Sequence, residues 1–117
     1  MKGEDRMISE TDVMQIIVYA GNAKSLAMNA IKEAKKGEII NAKKMLEESK
    51  ANLKIAHQQH TTILQNFANN PEESATMFLT HAQDHMMAAI TATDFTKEFI
   101  DLHEEMQELR NLIKKSA

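Results

Sequence analysis

Apolar residues recur at helical spacing along nearly the whole chain, and the pattern is interrupted at two places. Val13, Ile16, Ile17, Ala20, Ala23, Ala27, Ala30, Ile31 and Ala34 share one face up to Lys35, Lys36 and Gly37. They predict a helix over about residues 9–36, opened by Ser9 and Asp12 as a capping pair and closed by the glycine. A second stripe, Ala42, Met45, Leu46, Ser49, Leu53, Ala56, His60, Ile63, Leu64 and Phe67, predicts a helix over about residues 38–67 that ends in the turn-forming Asn69-Asn70-Pro71. The third helix begins after Pro71, where Glu72 and Glu73 complement the helix dipole. It meets no breaker before Lys114 and Lys115, cations suited to a carboxyl end.

Short connections between long helices make neighbours antiparallel, so the expected fold class is all-α, an up-down-up three-helix bundle. Helix three has more apolar surface than such a bundle covers. Phe78, Leu79, Ala82, Met86, Ala89, Ile90 and Thr93 form one face, and Met77, Thr80, Met87, Ala88, Thr91 and Phe95 form another. A helix that is apolar nearly all round is buried nearly all round, which predicts a homo-oligomer with helix three at its centre. Phe99, Leu102, Met106, Leu109 and Ile113 keep coiled-coil-like spacing, which suits either an extension of that interface or the monomer core. Residues 1–8 carry mixed charge without periodicity and read as a disordered leader or expression remnant, leaving 9–117 as one domain. Gly21 in mid-helix costs about 1 kcal/mol against alanine, explained by close approach of another helix or by plain tolerance.

A chain of 117 residues has material for one modest core. Nine methionines against four phenylalanines, one tyrosine and no tryptophan imply a soft core or a partner surface that repacks. Net charge of −3 with the two signs interspersed lacks the basic face that phosphate contacts require, so nucleic acid is not an expected partner. Without cysteine there is neither a disulfide framework nor thiolate chemistry, and without a hydrophobic signal region the protein is expected in the cytoplasm. Thr80, His81, Gln83, Asp84, His85, Thr91, Thr93 and Asp94 break the longest apolar run, so no direct membrane insertion is expected.

Chemistry concentrates in His81-Ala82-Gln83-Asp84-His85, because between Ala75 and Phe95 the only other charged side chain is Asp94. At about 100° per residue His81, Asp84 and His85 share one helix face. His-x-x-Asp-His resembles the inverted zinc-protease motif, but aspartate is a carbon short of the glutamate base and a three-helix chain has little room for a cleft. A di-iron bundle needs Glu-x-x-His, and the residues three before the five histidines are Lys54, His57, Phe78, Ala82 and Ile100, none of them a carboxylate. Phosphoryl carriage needs only a neutral imidazole, whose pKa near 6.5 leaves a free nitrogen to attack phosphorus without a separate base. Against it stands the plainer reading that these histidines pack or solvate, and spacing alone does not choose between the two.

The chain resembles enzyme IIA of the lactose/cellobiose family of the bacterial phosphoenolpyruvate-dependent sugar phosphotransferase system (PTS) over about residues 9–113. The resemblance is carried by Ala20-Gly21-Asn22-Ala23-Lys24-Ser25, by Ala34-Lys35-Lys36-Gly37-Glu38, by Ala56-His57 and above all by His81-Ala82-Gln83-Asp84-His85-Met86-Met87. It implies that His81 is phosphorylated, and that Asp84 binds one divalent cation, Mg2+, shared among the subunits of a homotrimer. It implies as partners the histidine phosphocarrier protein, which supplies the phosphoryl group, and a cognate enzyme IIB, whose cysteine receives it for sugar entering through enzyme IIC. Ala82 is associated with the cellobiose and chitobiose branch, pointing to a β-linked disaccharide; the alternatives are a lactose-specific IIA or a non-catalytic helical oligomerisation module. His60 stands where the family pattern has glutamine, and Met86 where it has leucine.

Overall fold

The computed structural model describes residues 10–70 and 76–116, and within them the chain forms three α-helices, α1 (Glu10–Lys35), α2 (Ile39–Asn69) and α3 (Met77–Ser116). Each buries a seam that alternates steps of three and four residues. On α1 it is Val13, Ile16, Ala20, Ala23, Ala27, Ala30 and Ala34; on α3 it is Leu79, Ala82, Met86, Ala89, Thr93, Thr96 and Ile100. On α2 Ile39, Ala42, Leu46, Ser49, Ala56 and Ile63 are buried in the same register. Such seams pack nearly parallel helix axes, giving a rod of 73 × 18 × 17 Å rather than a globule. Five alanines in the α1 seam bring that helix close to both neighbours.

The first turn forms as the sequence predicts. Gly37 has φ 87°, the Glu38 amide donates to the Glu33 carbonyl (3.0 Å), and the Gly37 amide donates to the Ala34 carbonyl (3.0 Å). These two bonds are the glycine-terminated helix stop, which satisfies carbonyls that α1 leaves without partners. The Asn41 side-chain amide then ties α2 to Glu33 Oε1 (2.7 Å), and Gln107 Nε2 reaches the Gly37 carbonyl (3.3 Å), bringing α3 alongside.

At the other end the helix start differs from expectation. Thr76 caps α3 by accepting the Leu79 amide at its Oγ1 (3.0 Å), so the first helical residue is Met77 and His81 lies in the second turn. Pro71, Glu72 and Glu73, read as the start of this helix, lie outside the described residues, as do Ser9 of the capping pair and the leader 1–8. Leu64, assigned to the α2 stripe, is 48% exposed, and the core gains Ile39, Thr96 and Ile100, which the stripe reading passed over.

The core contains a polar layer. Ser49 donates to the Ala23 carbonyl (2.6 Å) and shares a hydrogen bond with Thr93 (3.1 Å), while Thr96 donates to the Ala27 carbonyl (3.1 Å). All three side chains are buried, and no buried side-chain nitrogen or oxygen among the described residues lacks a partner. Ser49→Ala is expected to cost about 1–3 kcal/mol, because it leaves the Thr93 hydroxyl buried without its inter-helix partner. Adding Thr93→Val should recover most of that loss by removing the orphaned hydroxyl. Urea denaturation at one fixed protein concentration measures both.

Beyond Gln107 every described residue of α3 is exposed. Phe95, Phe99, Leu102, Met106, Leu109 and Ile113 form a second seam outside the bundle, with Phe95 59% and Ile113 68% exposed. The coiled-coil-like stretch is therefore not monomer core. Met77, Met87, Thr80, Ala88 and Thr91 are exposed too, as the two-faced reading of this helix requires.

Candidate functional site

His81, Asp84 and His85 lie together on the outer side of α3, His81 and Asp84 exposed and His85 half-buried. The one-turn spacing brings the two rings into contact. Their Nε2 atoms are 3.1 Å apart, and the rings meet edge-on with centroids 4.5 Å apart and planes at 82°. The Asp84 side chain makes no hydrogen bond or ion pair with a described residue. Its side of the helix carries Met87, Ala88, Thr91 and Phe95, so a bare carboxylate sits at the head of the exposed apolar seam. Among the described residues no three His, Cys, Asp or Glu side chains converge to hold a metal ion. Asp84 fits a hard cation through its oxygens, and it would need ligands beyond those that the described residues of its own chain bring to this site.

Gln83 projects toward α2, where its Nε2 lies 2.9 Å from His60 Nε2. An amide nitrogen only donates, so His60 accepts as a neutral ring. Burial pushes the His60 pKa below its ordinary value, and the positive charge His57 carries when protonated adds to the effect. His60 is thus the hydrogen-bonded packing histidine that its place on the α2 stripe suggests, and it pins α2 to α3 at Gln83, two residues from His81.

A histidine whose folded pKa lies below its unfolded value of about 6.5 binds its proton more weakly when folded. Its contribution to stability is full above that value and is lost as pH falls through the lowered one. His60→Gln keeps a hydrogen-bonding partner for Gln83 but does not titrate. The thermal midpoint of the parent is therefore expected to fall more steeply than that of His60→Gln between about pH 7 and 5. Parallel curves would show that His60 does not titrate in this window.

Beside His85 a groove of about 450 Å3 opens against α1, lined also by Gly21, Lys24, Ser25, Met28, Asn29 and Lys32. A Cβ added to Gly21 would meet nothing within 4 Å, so no helix of the same chain approaches it closely and its place is at the floor of this groove. Lys24 and Lys32 give the groove a positive lining. The sequence marked Lys24 only as part of a resemblance, because nothing in helical periodicity shows which α1 residues stand beside His85.

No helix among the described residues is long and apolar enough to cross a membrane. The sequence model of the family described as PTS system, Lactose/Cellobiose specific IIA subunit, matches residues 11–104, a span that includes every residue of the site. The lichenan-specific phosphotransferase enzyme IIA component of Bacillus subtilis is 40% identical over 101 residues, covering 86% of this chain and 92% of that protein. The crystal structure of the PTS cellobiose-specific enzyme IIA from Bacillus anthracis superposes with a TM-score of 0.81 at 34% identity, covering 87% of this chain and 94% of that one. The chitobiose IIA of Escherichia coli, solved in complex with HPr, gives a TM-score of 0.75 at 36% identity, covering 84% of this chain and 95% of that one. With the matching span, the helical architecture and these relatives in agreement, the chain belongs to the lactose/cellobiose-specific IIA family and is a phosphotransferase component of the PTS.

Proposed function

We propose that this protein is a relay that takes a phosphoryl group onto His81 from the histidine phosphocarrier protein and passes it to the cysteine of a cognate enzyme IIB. The observation that carries this reading is the placement of His81: an exposed imidazole on a rigid helix, beside a second imidazole, in a chain without cysteine. Each transfer exchanges one bond for another. The His81 lone pair forms a P–N bond as the donor's P–N bond breaks and its electron pair returns to the donor ring; the enzyme IIB thiolate then forms a P–S bond as His81 regains its pair. Neither step requires a base in this protein. The HPr complex of the chitobiose relative supports the first partner. Met77, 91% exposed one turn before His81, supplies the apolar surface for a docked partner that excludes water from the in-line transfer.

The working unit in this proposal is a homotrimer. The exposed seam from Phe95 to Ile113 supports parallel association through α3, and the family resemblance points to three copies. Asp84 of each copy would then hold a shared divalent cation such as Mg2+, whose charge offsets the mutual repulsion of the carboxylates. The sugar class proposed from the three relatives described above, whose own descriptions name lichenan, cellobiose and chitobiose, is a β-linked disaccharide entering through enzyme IIC in the cytoplasmic membrane.

Mass spectrometry tests the relay directly. Incubation with phosphoenolpyruvate and the two general phosphotransferase proteins should add one acid-labile phosphate per chain, and adding enzyme IIB should remove it. A chain that stays unmodified would be an oligomerisation module and not a carrier.

A further inference from the structure

Cations that are scattered in the sequence come together at the Gly37 end of the rod, far from His81. Lys35 and Lys36 at the close of α1, and Arg110 and Lys114 on α3, line one cavity of about 180 Å3 together with the amide side chains of Gln107 and Asn111. No carboxylate is among its described lining residues, in a chain whose net charge is −3. The acids nearby are engaged elsewhere: Glu33 accepts from Asn41 and pairs with Lys36 (3.0 Å), and Glu104 pairs with Lys43 on α2 (3.1 Å). Lys35, Arg110 and Lys114 form no ion pair with a described residue. Cations at the carboxyl ends of helices offset the helix dipoles, which accounts for Lys35 and Lys114 one at a time. It does not account for Arg110, a turn before Lys114, nor for the convergence of these cations on one cavity, three of them without a counter-charge.

We propose that this cavity binds a phosphate group, free or carried by a small metabolite. Such a group holds close to two negative charges near pH 7 and presents three or more strong acceptor oxygens. Arg110 supplies a planar fork for two of them, and Lys35 and Lys114 supply point charges. A volume of about 180 Å3, on the order of six waters, admits the phosphate and part of what it is esterified to. Gln107 is held at the wall by donating to the Gly37 carbonyl (3.3 Å), and its side-chain oxygen and the Asn111 amide offer partners to hydroxyl groups. Because the cations come from two helices, a bound dianion ties the end of α1 to α3 and stabilises the folded chain. The site is separate from the relay histidine: about 22 residues of α3, roughly 33 Å of helix, lie between His81 and His103, which also borders the cavity. It is offset by roughly a quarter turn around α3 from the exposed seam through Leu102, Met106 and Ile113, so the two surfaces do not compete.

The test titrates the full chain with inorganic phosphate and with glucose 6-phosphate, against sodium chloride at matched ionic strength, and reads the NMR signals of the Gln107 and Asn111 side-chain amides and the thermal midpoint. Phosphate in at least one of these forms should shift the amides saturably and raise the midpoint, and chloride should do neither. Arg110→Ala combined with Lys114→Ala should weaken binding by about tenfold or more, the scale of one hydrogen bond to a charged group. Both residues are exposed, so the fold should persist. Lys44→Ala combined with Lys54→Ala, exposed on α2 and equal in the charge removed, should bind as the parent does, and so should His81→Ala. Tighter binding of glucose 6-phosphate than of inorganic phosphate assigns the site to a phosphorylated polyol, and equal binding assigns it to the phosphate group alone. The proposal is overturned if neither phosphate gives a saturable shift, if chloride matches them, or if the Arg110→Ala, Lys114→Ala chain binds like the parent.

Discussion

His81→Ala is expected to lose phosphoryl acceptance down to background, a fall on the order of 10⁴-fold or more, because the side chain that forms the covalent intermediate is gone. No second nucleophile stands ready. The chain has no cysteine, His60 is tied to Gln83, His57 belongs to α2, and His103 lies far along α3 beside the Gly37 turn. The fold should survive, since His81 is exposed and its one side-chain hydrogen bond among the described residues goes to His85. Mass spectrometry reads the phosphate, and circular dichroism reads the helices. Labile phosphate acquired by the variant at the parent's rate, or mapped in the parent to His60 or His85, would displace His81 from the relay.

Asp84→Leu is expected to leave the oligomer assembled, raise its thermal midpoint and remove its dependence on a divalent cation. Asp84 heads an exposed apolar seam, so association through that face takes several carboxylates out of water together. Leucine removes the charge and continues the seam. Replacing a buried ionic group by a well-packed apolar one is neutral or stabilising by about 1–4 kcal/mol. Asp84→Asn should be the poorer substitute, because its amide brings polar atoms that the apolar surroundings cannot satisfy. Light scattering and thermal melts, with and without chelator, separate these outcomes. A parent that is monomeric at all concentrations, or a leucine variant that dissociates, would take Asp84 out of the interface and remove the argument for a shared cation.

The fold was legible because its signals are local. Alanines and isoleucines recurring on one side of α1, Gly37 in the left-handed region where α1 stops, and long uninterrupted stretches between turns each act within a few residues, and the backbone follows them. Reading failed where two stripes run side by side. On α3 the buried seam through Thr96 and Ile100 lies next to the exposed seam through Phe95 and Phe99, and both are apolar enough to be core. Residue type cannot rank them; only the positions of α1 and α2 decide which one is covered. Leu64 shows the same effect on α2, where an apolar residue at acceptable spacing faces water. Thr76 was missed as the α3 cap because Pro71 and its acidic followers form the stronger sequence signal for a helix start.

By itself the sequence determined the three helices, the stop at Gly37, the common face of His81, Asp84 and His85, and the family, since all of these depend on residue identity and on spacing along one helix. Tertiary structure alone decided the rest. That Gln83 turns away from His81 to bond His60 on α2, that Ser49, Thr93 and the Ala23 carbonyl form a polar layer, and that Gly21 and Lys24 border His85 all depend on which turns of different helices lie at one height. That height is set by the lengths of the connections and the interlocking of the seams, and side chains far apart in sequence meet only when the whole bundle has packed.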